Sequence, residues 1–223
     1  MITRKRKAMD MYNNSSMTEV TSLIQEIKNV LTMKNIFIKE EIIPENKDII
    51  IRLTDNNDNL IGKINGGVEE FTIVENDEEI YKDAFSIMWV KVEKDYQGHN
   101  LATFLIIYLI YLCKTNFGDI NYIVLEDDTD EIDQSKNIYV KLGFVYQKKK
   151  EVVMLENGQE MNVNNGGEMQ LNVNNFFNDN IIEKLNKILV TLKNWNKTGG
   201  KRQRKNTKRK KRKTTKKSRR RKN

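Results

Sequence analysis

"VEKDYQGHNLATFLIIYLIYLC", residues 92–113, runs from a polar turn bearing Gly98 into thirteen residues, 101–113, of which Thr103 alone is polar. That run is well short of the ~20 apolar residues needed to span a bilayer, so it reads as a core helix. Upstream, "AFSIMWVKVE" (84–93) is apolar on nearly every residue at first, as in a strand buried on both faces. Downstream, "INYIVLED" (120–127) is a second such strand. Strand, loop, helix and strand in this order form a βαβ unit, which requires two parallel neighbours. The turn itself is suggestive. The first amides of a helix have no intrahelical acceptor and sit at the positive end of its dipole, so they can hold a pyrophosphate. Gly98 and Ala102 are small, and Asn100 tolerates positive φ. Turns of the same composition also open helices that bind nothing.

Working outward, 15–35 places Val20, Leu23, Ile24, Ile27, Val30 and Leu31 at helical spacing, with a start near Met17. "IFIKEEII" (36–43) and "DIIIRLT" (48–54) are β-rich runs around the only proline, and "NLIGKING" (59–66) reads as the next strand. Residues 67–83 are acidic, with a short strand at 71–74. "DEIDQSKNIYVKLG" (130–143) reads as a helix that Gly143 ends, 144–155 and 168–173 as further strands, and 178–195 as an amphipathic helix. The fold class that follows is mixed α/β (α+β), with a mostly antiparallel sheet around one βαβ unit and flanking helices.

Charge is distributed unevenly. Residues 201–223 hold sixteen Lys or Arg and no acid or apolar residue; without them the net +8 becomes −8 for residues 1–200. Setting aside "RKRK" at 4–7 as well leaves residues 8–200 at −12. The expected organisation is a disordered basic N-terminus (1–16), one folded domain (17–196) and a disordered Lys/Arg-rich tail (197–223). Such a tail suits contact with nucleic acid or another polyanion. Cys113 is the only cysteine, which excludes an internal disulfide and favours a reducing, intracellular setting. Cys113 and the only histidine, His99, lie fourteen residues apart and form no metal-ligand set.

A second motif lies about forty residues past the turn: "NIYVKLGFVY" (137–146), where a helix ends on Gly143 and Phe144 opens a strand. Taken with "VKVEKDYQGHNLATFLI" (90–106), it resembles the GNAT superfamily of N-acetyltransferases. That family pairs a Gln/Arg-x-x-Gly-x-Gly/Ala loop with a Tyr-x-Lys-Leu-Gly-Phe-like signature. Gln97 and Ala102 match the loop, Asn100 replaces its middle glycine, and "YVKLGF" (139–144) is intact. The resemblance covers about 36–173 as architecture and 84–146 at the level of motifs.

The resemblance implies acetyl-CoA as co-substrate. The backbone of Val90, Lys91 and Val92 would pair with its pantetheine arm. Gln97 and the loop amides of Gly98, His99, Asn100, Leu101, Ala102 and Thr103 would hold the pyrophosphate. Tyr139 would protonate the leaving thiolate, and an amine would attack the acetyl carbonyl directly. "SIMW" (86–89) carries no acid where some relatives have a glutamate base, which leaves Glu126, Asp127 and Asp128, with Glu126 taken as the catalytic choice. The family's two helices after the first strand are replaced by "PENK" (44–47), so the acidic 67–83 is the candidate to shape the acceptor site. An acidic body suits a cationic acceptor: a polyamine, an aminoglycoside-like amine, or lysines of a basic protein, the chain's own tail among them.

The alternative is a GNAT-like binding protein of weak or no activity whose tail contacts nucleic acid. A membrane role for 101–113 would remove the helix that the sheet needs for its core. The Asn-, Lys- and Ile-rich composition with the "TGGKRQRK" tail resembles proteins of nucleocytoplasmic large DNA viruses. That implies a viral protein in the cytoplasm or nucleus of a host cell, or in the virion.

Overall fold

The computed structural model describes residues 2–75, 78–127, 136–147, 151–154, 160–163 and 167–195. Among the described residues four α-helices, α1 (Ile2–Met33), α2 (Leu101–Asn116), α3 (Ile138–Leu142) and α4 (Asp179–Lys193), accompany nine strands. Seven strands form one sheet in the order β1 (Phe37–Ile43), β2 (Asp48–Thr54), β3 (Leu60–Glu75), β4 (Glu78–Val92), β5 (Tyr122–Asp127), β9 (Gly167–Asn172), β6 (Val145–Tyr146). Strands β7 (Glu151–Met154) and β8 (Glu160–Val163) pair separately. β4 and β5 are parallel, as the βαβ reading requires, and the other pairings are antiparallel.

The core lies on one face of the sheet. Ile49, Ile51, Leu53, Ile64, Phe85, Ile87, Ile123 and Leu125 meet the buried faces of all four helices there. α2 is apolar around most of its circumference because it is enclosed on most sides; ten of its residues are buried. The six apolar positions of 15–35 are all buried, as their spacing implied. α1 is also tied down by polar contacts. Lys28 Nζ donates to Glu40 at 2.8 Å and to the Tyr108 hydroxyl at 2.9 Å, and that hydroxyl donates to Glu40 at 2.6 Å. Among the described residues no helix is long and apolar enough to cross a membrane.

Three expectations differ from the structure. The helix placed from Met17 instead begins at Ile2. No Gly or Pro interrupts 2–33, and the Arg, Lys, Ala and Met of 4–11 favour helix. The acidic stretch 67–83 is not a loop with a short strand but the far half of the β3–β4 hairpin, continuous in register from Gly66–Ile87 to Glu75–Glu78. Its carboxylates hide a period-2 pattern. Phe71, Ile73, Ile80 and Ala84 form a second small core with Tyr122 and Val124 on the other face of the sheet. The arm is pinned there because Gln170 accepts from Val74 N (3.0 Å) and donates to Val74 O (2.7 Å), while Gln147 donates to Thr72 O (2.9 Å). Finally, the helix expected over 130–143 is the short α3, and the strand expected over 144–155 divides into β6 and β7, which belong to different sheets. Residues 128–135 and the tail at 197–223 lie outside the described residues.

Candidate active site at the parting of β4 and β5

Met88 is an extra residue in β4. Asn65 of β3 faces Trp89 and Gly66 faces Ile87, so Met88 faces neither. A bulge of this kind bends its strand and increases its twist. The consequence appears on the other edge of β4. Parallel pairing with β5 covers Phe85, Ile87 and the residue between them, and ends there, although β4 continues to Val92 and β5 to Asp127. Beyond the bulge, β4 has β3 on one side and, among the described residues, no strand partner on the other. An edge of this kind offers backbone donors and acceptors to an extended ligand.

The loop leaves β4 at this same end. After one 3-10 turn (Lys94–Tyr96), Gly98 takes φ 83° and Asn100 φ 61°, both left-handed, and α2 begins at Leu101. The first helical bond runs from Phe104 N to Asn100 O at 3.0 Å, so the amides of Leu101, Ala102 and Thr103 have no acceptor within the helix. Asn100 does not cap them; its Nδ2 reaches Thr191 Oγ1 at 3.4 Å on α4. A Cβ at Gly98 would meet nothing within 4 Å, so the requirement for glycine there is conformational and the space beside it is open.

The loop is braced from α4. The His99 ring stacks on Trp195 with centroids 3.9 Å apart, and Tyr96 meets Trp195 edge-on at 6.0 Å. Lys34 Nζ donates to Trp195 O at 2.5 Å and fixes that end of the chain to α1. Gln97 Nε2 turns back and donates to Val92 O at 3.0 Å. This contact shapes the junction of strand and loop.

The third part is α3. Asn137 caps it, accepting from the amides of Tyr139 (2.8 Å) and Val140 (3.3 Å). Asn137 Nδ2 also donates to Asp127 at 2.6 Å, and the Tyr146 hydroxyl donates to the same carboxylate oxygen at 2.5 Å. Burial and this acceptor push the Tyr146 phenol up to about 12. The C-terminal end of β5 therefore holds the helix that carries Tyr139. Tyr139 is half-buried and meets Phe144 edge-on at 6.0 Å. Gly143 ends α3 at φ 97°, as the sequence implied.

The expected residues thus gather at the C-terminal ends of the two parallel strands, where open α/β sheets place their ligands. Val90 packs on the core, Val92 is buried, and exposed Lys91 pairs with Glu93 at 2.9 Å. Leu101 is buried at the start of α2, and Ala102 and Thr103 are half-buried beside it. Glu126 is exposed on β5, directly across from Glu168 of β9. Asp127, the neighbouring candidate for a base, is buried and serves as an anchor; Asp128 lies outside the described residues. Sequence reasoning missed Trp195, Thr191 and Asn137. An Asn just ahead of "IYVKLG" was a visible cap signal, whereas nothing in the spacing of α4 points Trp195, two residues past its end, at a loop nearly a hundred residues earlier.

Cys113 is fully buried in α2, and burial pushes its thiol up to about 12. It is no nucleophile. The native state holds the neutral thiol, while the unfolded chain ionises near its ordinary ~8.5. Stability from this group is complete below that pH and is lost as pH rises towards 12. Thiol alkylation of native protein at pH 8 is expected to be negligible and to become rapid in denaturant; rapid labelling of native protein would contradict this placement.

No protein-family model matches the chain, and no curated protein matches it. Among solved structures it is similar to a bacterial toxin at 16% identity over 67% of this chain and 74% of that one, with a TM-score of 0.41. It is similar to a GNAT-family acetyltransferase from Staphylococcus aureus at 18% identity, over 56% and 68%, with a TM-score of 0.36. The NatC complex bound to Gag peptide and CoA gives 21%, 55% and 70%, with a TM-score of 0.36.

Proposed function

We propose that the protein is an acyl-CoA-dependent N-acetyltransferase that moves an acetyl group from acetyl-CoA directly to a primary amine of a cationic acceptor. One observation carries this reading: the β4–β5 pairing ends at Ile87 and Leu125 while both strands run on towards the loop at 97–103. The residues present fit the co-substrate. The edge of β4 at Val90, Lys91 and Val92, where Gln97 already takes the Val92 carbonyl, suits an amide-bearing pantetheine arm. The amides of Leu101, Ala102 and Thr103, beside the open space at Gly98, suit a pyrophosphate. Asn100 supplies in this chain the left-handed turn for which relatives use glycine. Tyr139 is assigned to donate a proton to the departing thiolate, and Glu126 to take one from the acceptor ammonium. The direct mechanism suits a chain whose only thiol is sealed in α2.

The test is acetyl-CoA binding by calorimetry and turnover with a panel of amines. Asn100→Gly is expected to keep or improve affinity. Asn100→Glu is expected to weaken it about tenfold, roughly 1.4 kcal/mol, because a carboxylate would stand among the phosphate-binding amides. An unchanged affinity for the glutamate variant would refute the cradle, and a wild-type protein with neither binding nor turnover would refute the activity.

A further inference from the structure

The face of the sheet opposite the helices is only partly covered. The hairpin arm lies over its β5–β9 part, and the rest is open around the bulge, where Met88 is 53% and Trp89 42% exposed. Strand alternation puts Glu126 on this face with Tyr122 and Val124, and the register sets Glu168 opposite it. Like charges directly opposite across two strands repel. Neither carboxylate has an ion pair or hydrogen bond among the described residues. Lys63 already stands over the Trp89 ring, 5.2 Å from its centroid, so that ring holds a cation in the resting chain.

We propose, building on the acetyl-transfer reading, that this face docks the chain's own C-terminal segment, 201–223, and that its lysine ε-amines are acceptors. Charge complementarity selects it: sixteen positive charges with no acid, against −12 on residues 8–200. The course of the chain allows it. Trp195 rests on His99, at the sheet end where Glu126 lies, and 28 residues follow it. A linker of that length spans roughly 30 Å, several times the ~10 Å between packed layers. Tethering supplies an effective concentration on the order of millimolar. Lysine stems would lie on Met88 and Trp89, with the ammonium group at Glu126 and Glu168.

In the transfer, the ammonium gives a proton to Glu126 and thence to water. The neutral Nζ bonds to the acetyl carbon, the carbon–sulfur bond breaks, the thiolate takes the Tyr139 proton and leaves as CoA thiol, and the proton shed by the new amide nitrogen restores the phenol. Each transfer removes one positive charge, so the segment binds its own acceptor face less well as it is modified.

The experiment incubates the full-length protein with acetyl-CoA and follows the site of modification by peptide mass spectrometry at several protein concentrations. Acetylation is expected at Lys201, Lys205, Lys208 and the lysines that follow, at a rate independent of protein concentration. Glu168→Gln and Trp89→Ala should each slow it several-fold, Glu79→Gln on the hairpin should not, and ~0.5 M salt should slow it through screening. If the protein binds acetyl-CoA and acetylates an added amine but leaves 201–223 unmodified, the proposal fails and the transferase reading stands. Uniform modification of body and tail that neither variant alters would be uncatalysed chemistry and would also overturn the proposal. Absence of acetyl-CoA binding would instead remove the reading beneath it.

Discussion

Tyr139→Phe is expected to lower kcat for acetyl transfer by about 100-fold, within the usual range for losing a positioned acid, with little change in acetyl-CoA affinity or melting temperature. The substitution is narrow. It keeps the ring that meets Phe144 edge-on and the backbone amide that donates to Asn137. It removes only the hydroxyl. A core tyrosine would show the reverse pattern, with lower stability and unaltered turnover per folded molecule. An unchanged kcat would remove Tyr139 from the chemistry.

Asp127→Ala is expected to cost about 2–4 kcal/mol of stability, since it removes the carboxylate that accepts from the buried Asn137 Nδ2 and from the half-buried Tyr146 hydroxyl, and leaves Asn137 only a longer contact with that hydroxyl at 3.4 Å. For a body of this size that is a fall of roughly 10 °C in melting temperature. The functional loss should exceed what stability explains, because Asp127 is the link through which β5 orients the cap of α3. Adding Tyr146→Phe to Asp127→Ala removes one stranded group and should restore part of the stability, a coupling that a double-mutant cycle measures. If Asp127→Ala melts like the parent, the anchor is not a structural element of the site.

The central unit was legible because its signals are local. A thirteen-residue apolar run, two buried strand patterns and a Gly/Asn turn lie within forty-five residues, and their order permits few topologies. The hairpin arm was not legible. Glu69, Glu70, Glu75, Glu78 and Glu79 mark 67–83 as solvated, and only Gln170 and Gln147, about seventy to a hundred residues away, show what holds it. At the site, the left-handed turn at Asn100 was readable because positive φ restricts residue choice, whereas Gly98 reads only as small. Gln97 stood out in the sequence only through a resemblance, and its contact with the Val92 carbonyl was not readable, since a side chain that turns back on its own strand leaves no mark in composition. The amphipathic pattern of α4 names its buried stripe, Ile181, Leu185, Ile188, Leu189 and Leu192. It says nothing of what lies beyond the last turn.

The pairing of Trp195 with His99 has an optical consequence. The chain has two tryptophans: Trp195, in ring contact with the imidazole of the loop, and Trp89, half in water at the bulge. Their emissions belong to opposite sides of the gap between β4 and β5. A Trp89→Phe protein would report by fluorescence on the loop alone, and a Trp195→Phe protein on the outer face alone. On the proposed two-substrate reaction each dye stands beside a different substrate, and the order in which the two arrive could then be followed in unlabelled protein.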